Sequence, residues 1–352
     1  MSKTYRIAVL PGDGVGPEVT SEAVKALRAA ERRHEFTLDC EELSVGAGEY
    51  LRSGDPLPEE TFSRLGDYDA ILLGAMGLPD VRWPNGTEMA PQLDLRERLE
   101  LYNGLRPIRL LNSDLTPLKG HEAGSIDFAL IRENTEGLFH SRKGSIEATD
   151  EAMVDGLRIS RRGSERLFHA AFQEAKRRRG KLTLVDKSNV LPSLAFFRKI
   201  FCEIAEHYPE IETETIYIDA TALYLVQRPE SFDVIVTENM FGDILSDLAA
   251  GLVGGMGMAP SGDIGDTHAV FQPSHGSAPD IAGQGVANPT ATILSAAMML
   301  GWLGETAAAS AVSRAVESVF EDPSARTRDL GGALACAEMG DRVVAALESA
   351  SQ

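Results

Sequence analysis

The chain has 352 residues, enough for one large or two ordinary domains with a substantial core. Its hydrophobic content of 43% and charged content of 25% are those of a soluble globular protein. A net charge of −19 argues against nucleic acid or an anionic membrane as a partner, and it obliges any anionic small ligand to find a local basic cluster.

The opening residues lead straight into a short β-rich run, Tyr5–Leu10, with no apolar leader core, and no run reaches transmembrane length. Cys40, Cys202 and Cys336 are widely spaced and odd in number, so neither a disulfide framework nor a zinc site is expected, and a reducing cytoplasm fits. Pro11-Gly-Asp-Gly-Val-Gly-Pro17 is a turn, and residues 18–33 are helical by period. The turn reads G-x-G-x-G followed by proline, not G-x-G-x-x-G, so a Rossmann fold is not expected. Pro17 suits the first position of a helix.

Residues 69–74, 127–131, 182–185 and 233–236 read as buried strands, and helices are expected over 164–179, 192–206 and 289–303. This alternation predicts an α/β fold with a largely parallel sheet. Residues 176–179 (Lys-Arg-Arg-Arg) end a helix before Gly180 and read as a solvated helix end.

Between Pro229 and Ser313 there is no Lys or Arg, yet the stretch carries nine carboxylates. Asp243 and Asp247 stand four apart there, side by side on one helical face among apolar neighbours. Like charges so placed repel, and oxygen-only ligands point to Mg²⁺ or Mn²⁺. The alternative is a pair that simply faces water. Arg132 ends a predicted strand, where the cleft of an α/β fold lies. Lys187 follows another strand; it is either a desolvated base or an ordinary surface lysine. The alternative for Arg96 is that it and Arg98 pair with Asp94 and Glu97 at the surface. The loop from His275 to Pro289 is rich in small residues whose backbone N–H groups could reach a pyrophosphate, and Asp280 could accept from a ribose hydroxyl.

Together, Leu10–Glu18, Leu105-Arg-Pro107, Arg132-Glu-Asn-Thr-Glu-Gly137, Asp186-Lys-Ser-Asn189, Asn239–Asp247 and His275–Pro289 resemble the β-decarboxylating dehydrogenases, the isocitrate/isopropylmalate dehydrogenase family. The last block is most similar to isopropylmalate dehydrogenases, and the Arg-Glu-Asn-Thr-Glu block to isocitrate or tartrate dehydrogenases. The resemblance implies a two-domain, isopropylmalate dehydrogenase-like α/β fold that is not Rossmann. Residues 1–101 plus 255–352 would bind the cofactor, and residues 102–254 would carry the dimer interface and metal site. It implies a homodimer with shared active sites that oxidatively decarboxylates a 3-substituted (R)-malate, using NAD and Mg²⁺ or Mn²⁺.

By the same resemblance Arg96, Arg106 and Arg132 bind substrate carboxylates, and Asp219, Asp243 and Asp247 bind the metal. Lys187 and Asp219 act in catalysis, both lent by the partner. His275, Gly276, Ser277, Ala278, Asp280, Asn288 and Asn189 contact the cofactor. An acidic Asp280, where NADP users carry a Lys-Tyr pair, implies NAD.

Two departures stand out. Phe139 occupies the place of the family's proton-donating Tyr, which leaves His140 or water as the acid. Gln92 stands where a Leu is expected against an isopropyl group, so a polar or small C3 substituent is expected. Tartrate/D-malate or isocitrate/homoisocitrate specificity is the alternative within the class, and a non-catalytic regulatory subunit is the alternative outside it.

Overall fold

The computed structural model describes residues 3–144 and 147–349. The elements are β1 (Lys3–Gly12), α1 (Gly16–Arg33), β2 (Phe36–Glu42), α2 (Ala47–Ser53), α3 (Glu59–Leu65), β3 (Ala70–Ala75), α4 (Pro91–Arg98), β4 (Asn103–Arg109) and β5 (Asp127–Glu133). Then follow β6 (Glu147–Ala148), β7 (Met153–Val154), α5 (Arg161–Arg177), β8 (Lys181–Asp186), α6 (Pro192–Ala205), β9 (Glu212–Tyr217), α7 (Ile218–Gln227), β10 (Val234–Thr237) and α8 (Asn239–Gly251). The last are β11 (Pro260–Ile264), β12 (Ala269–Pro273), α9 (Thr290–Trp302), α10 (Thr306–Phe320) and α11 (Cys336–Ser349). The helices and strands expected from the sequence are all present. No described helix is long and apolar enough to cross a membrane, and the cysteines are free thiols.

The chain divides into two compact units, each discontinuous in sequence. The first comprises the residues up to Leu95, Gly254–Gly262 and everything from Thr267; the second comprises Arg96–Val253 and Asp263–Asp266. In the first unit the strands run β2-β1-β3-β12-β11. The pairs β1/β2, β1/β3 and β12/β3 are parallel. β3 is buried at every position, as a parallel strand covered on both faces must be. α1 packs its Val19, Ala23, Ala26, Leu27 and Ala30 stripe inward, a helical spacing that buries one face.

In the second unit the order is β4-β5-β10-β8-β9. Here β5/β10, β10/β8 and β8/β9 are parallel, while β4 is antiparallel to β5. One face of this sheet meets α5 and α6 in an aromatic core. Ile131, Val234 and Leu182 from the strands pack with Phe168, Phe172, Phe197 and Phe201 from the helices. Because strand side chains alternate, burying Ile131 there turns its neighbour Arg132 to the opposite face, toward α8.

The basic run after α5 is not wholly solvated as expected. Arg177 is exposed, but Arg178 reaches the carboxylates of Asp127 and Asp233, at 3.0 Å to the latter, and so ties together the starts of β5 and β10. Asp233 is buried, so it needs that cation.

Candidate active site

The second unit gathers an arginine cluster from distant parts of the chain. Arg96 leaves the last turn of α4, Arg106 lies in β4 and Arg132 near the end of β5; each is buried. Arg96 therefore does not pair at the surface with Asp94 or Glu97. Its Nε–H donates to Asp263 at 2.8 Å, Arg106 donates to the other oxygen of Asp263 at 3.2 Å, and Asn134 Nδ2–H donates at 2.8 Å. Burial alone would raise the carboxyl of Asp263, but the charges of Arg96 and Arg106 override it and hold the group well below the usual carboxylate range. Desolvation lowers Arg106, and brings Arg132 to about 10.

Arg132 donates from Nε and Nη2 to Asn239 Oδ1, at 3.0 and 2.7 Å, and forms an ion pair with Asp243. The side chains of Asn239 and Asp243 both come from α8. That helix begins under Glu238, whose buried carboxylate accepts from the N–H groups of Met240 and Phe241, a helix cap. A Cβ at Gly242 would lie 2.6 Å from Arg132 Cγ, so only glycine lets α8 approach the guanidinium this closely.

The Arg-Glu-Asn-Thr-Glu motif is thereby explained one residue at a time. Arg132 reaches α8 and Asn134 reaches Asp263. Glu133 is buried and folds the loop by accepting from the N–H groups of Thr135 and Glu136. Thr135 Oγ1 accepts from Arg166, and Glu136 accepts from Ser160 at the cap of α5.

Asp243 and Asp247 stand one turn apart on α8. Burial first, and then the negative charge of Asp243, raise the Asp247 carboxyl. Asp219 opens α7, is exposed, and accepts a hydrogen bond of 2.7 Å from Lys187 Nζ at the end of β8. Among the described residues, no three His, Cys, Asp or Glu side chains are grouped to hold a metal. The oxygen donors on α8 suit a hard divalent cation, and a third carboxylate would have to come from elsewhere.

Residues 138–143 form a 3₁₀ turn. Phe139 lies against Arg132, 5.3 Å from ring centre to guanidinium. His140 is exposed beside Arg158, at 3.4 Å, and lines a cavity of about 450 Å³ with Glu97, Ser141 and Leu157. The structure brings Phe139, not His140, to the arginine cluster. Asn189 is exposed in the turn after Lys187.

In the first unit the loop from His275 packs on the Gly-rich turn. Val15 N–H donates to Ser277 O at 2.8 Å, and a Cβ at Gly14 would sit 1.9 Å from that oxygen. Beside it lies a cavity of about 640 Å³, lined by Val15, His275, Gly276, Ala278, Ile281, Val286 and Asn288, with Arg328 and Asp329. His275 Nδ1–H donates to Gly276 O at 2.9 Å, which leaves Nε2 as an acceptor, buried and without a partner. Burial pushes this imidazole below its ordinary value. Asn288 Nδ2–H donates to Asp329 at 3.1 Å. Ser277 is buried and Asp280 exposed on the same loop. An apolar trough with an orphan acceptor and convergent polar groups fits the adenosine portion of a dinucleotide.

Sequence reasoning missed Asp263, Asn134, Asn239 and the Arg328-Asp329 pair. The one usable signal was that Asp263 belongs to the stretch without Lys or Arg, where each carboxylate needs a distant cation. Gln92, in the first turn of α4, has a buried amide oxygen with no partner.

Within the second unit arginines distant in sequence meet a helix-borne carboxylate pair, and the first unit carries a loop whose trough suits a nucleotide. The isocitrate/isopropylmalate dehydrogenase profile matches residues 6–343. A 3-isopropylmalate dehydrogenase of Salinibacter ruber is 43% identical over 94% of this chain and 90% of its own. One of Corynebacterium efficiens is 44% identical over 97% and 99%. The crystal structure of isocitrate dehydrogenase from Methylococcus capsulatus superposes with a TM-score of 0.90 at 36% identity, covering 98% of this chain and 100% of that one. A β-decarboxylating dehydrogenase from Thermococcus kodakarensis gives 0.82 at 38% identity, with 98% and 96% covered. The chain belongs to the isocitrate/isopropylmalate dehydrogenase family. It is a β-decarboxylating dehydrogenase.

Proposed function

We propose that the protein is a cytoplasmic homodimer that carries out NAD-dependent oxidative decarboxylation of a 3-substituted (R)-malate, with 3-isopropylmalate the leading member. The observation that carries this is the buried cluster of Arg96, Arg106 and Arg132, whose guanidinium groups suit a dicarboxylate on an otherwise acidic chain. The names of the relatives support the isopropyl substituent.

In this reading the arginines fix the substrate carboxylates, so that C2 and C3 are held in one orientation. Lys187 of the partner subunit, as the neutral amine, takes the C2 hydroxyl proton, and the hydrogen bond to Asp219 stabilises the ammonium that forms. Asp243, Asp247 and the partner subunit's Asp219 would hold Mg²⁺ or Mn²⁺, which lowers the hydroxyl pKa and offsets enolate charge when bound. The His275–Asn288 loop would hold NAD, which would supply the acceptor for the C2 hydride. Asn189 and Asp280 would complete that cofactor's contacts. The C3 carboxylate then leaves as CO₂. The geometry at Phe139 and His140 favours water as the donor that returns a proton to C3.

Gln92 favours a second reading. Its buried, unpartnered amide oxygen suits a substrate hydroxyl near C3, as in tartrate, or a small substituent, as in D-malate. The deciding experiment is NADH formation with Mn²⁺ on 3-isopropylmalate, D-malate, tartrate, isocitrate and homoisocitrate. The highest kcat/KM on isopropylmalate establishes the first reading, and the highest on tartrate or D-malate the second. No NADH from any of them overturns both.

A further inference from the structure

We infer that Asp263 is a positioning residue that sets the charge of the arginine cluster so that the site accepts a dicarboxylate and rejects a tricarboxylate. This rests on the proposed substrate role of Arg96, Arg106 and Arg132.

Asp263 is among the most buried carboxylates of the chain, at 1% exposure, and it is the shared acceptor for Arg96, Arg106 and Asn134. It does two things there. It fixes Arg96 relative to Arg106, two cations that would otherwise repel each other in a buried site. It also cancels one of their charges. Arg132 already faces Asp243, and Asp247 lies one turn further along α8. Among the described residues the three guanidinium groups thus face three carboxylates, Asp263, Asp243 and Asp247, while Glu238, which also acts on Arg132, is engaged by the N–H groups it caps on α8. Lys187 is matched by Asp219. Such a balanced site has only the charge of a divalent cation left to offer a substrate. A dicarboxylate balances that charge. A third carboxylate would be held in a desolvated place with no counter-charge, which is unfavourable.

The test is a pair of variants in the full-length protein. Asp263→Asn keeps the shape and removes the charge; Asp263→Glu keeps the charge and displaces it. Two ratios are read. One is kcat/KM for isocitrate over D-malate. The other is calorimetric affinity for tricarballylate over succinate, in Mg²⁺ and without NAD. In the wild type both ratios should favour the dicarboxylate. Asp263→Asn should raise each toward the tricarboxylate by about tenfold, the size of one unbalanced charge in a partly screened site. Asp263→Glu should leave the ratios near wild type while raising KM for both substrates. Unchanged ratios in a folded Asp263→Asn protein, or equal shifts in both variants, would overturn the inference. If Asp263→Asn does not fold, the wild type decides: tricarballylate binding as tightly as succinate overturns it. If the wild type forms NADH from no hydroxy acid, the functional reading falls, whereas the calorimetric ratios still judge Asp263.

Discussion

On the proposed reading, cofactor choice turns on Asp280. It is exposed on the loop that carries His275 and Asn288. A carboxylate facing the ribose repels a 2′-phosphate by about 1–3 kcal/mol at partial exposure, so NAD should be preferred over NADP by about 10- to 100-fold in kcat/KM. Asp280→Lys should narrow or reverse that preference. Equal use of both cofactors by the wild type would show that Asp280 does not face the ribose. Phe139 and His140 make a second pair of opposites. Phe139 packs on Arg132, whereas His140 stands beside Arg158. His140→Gln should therefore leave single-turnover NADH formation and product release near wild type. Phe139→Tyr should add an acid and speed the protonation that follows CO₂ loss. A selective slowing of protonation in His140→Gln would restore the histidine as the acid. At this scale Lys187, Arg132 and the Asp243/Asp247 pair were legible in the sequence, because each sits at a strand end or on a helical period. Asp263 was not. Its partners lie far away in sequence, and no local pattern encodes such a pairing.

At the scale of elements, the ends of strands are held by specific side chains. Arg178 joins Asp127 and the buried Asp233. Arg178→Ala strips Asp233 of its main counter-charge and should cost about 1–3 kcal/mol of stability, measured by denaturant unfolding. Arg177→Ala removes an exposed pair with Glu174 and should change stability by less than about 0.5 kcal/mol. Equal effects would mean that the clamp contributes nothing. The same contrast explains why residues 176–179 misled a reading by composition. A basic helix end looks solvated when the carboxylates that bury one of its members belong to other strands. The strands themselves were legible, because β3, β5, β8 and β10 are apolar runs of the length a covered parallel strand requires.

For the whole molecule, the arrangement of Lys187 and Asp219 matters most. They pair with each other, on elements apart from Asp243 and Asp247, and the described residues of one chain hold no complete metal site. Exposed apolar side chains mark the neighbouring helices, with Leu223 at 52%, Val226 at 46% and Ile244 at 54%. A second copy that covers them would complete both centres. Lys187→Ala and Asp243→Ala should each abolish turnover alone. Co-expressed, they should recover about a quarter of wild-type activity, because half of random dimers are mixed and each mixed dimer has one intact site. No recovery in isolated mixed dimers would place the whole site within one chain.

The sequence by itself determined the α/β class, the buried strands β1, β3, β5, β8 and β10 with helices α1, α5, α6, α8 and α9, the exclusion of a Rossmann turn and the family. These rest on local periods and on ordered motifs, which are properties of neighbouring residues. Only the tertiary structure decided that Asp263 leaves the company of its sequence neighbours to bind Arg96, Arg106 and Asn134. It alone decided that Gly242 makes room for Arg132 and that Phe139 rather than His140 meets that arginine. The reason is physical. A buried charge must find its opposite wherever the fold provides it, and the separation of such partners along the chain is set by topology rather than by any local pattern.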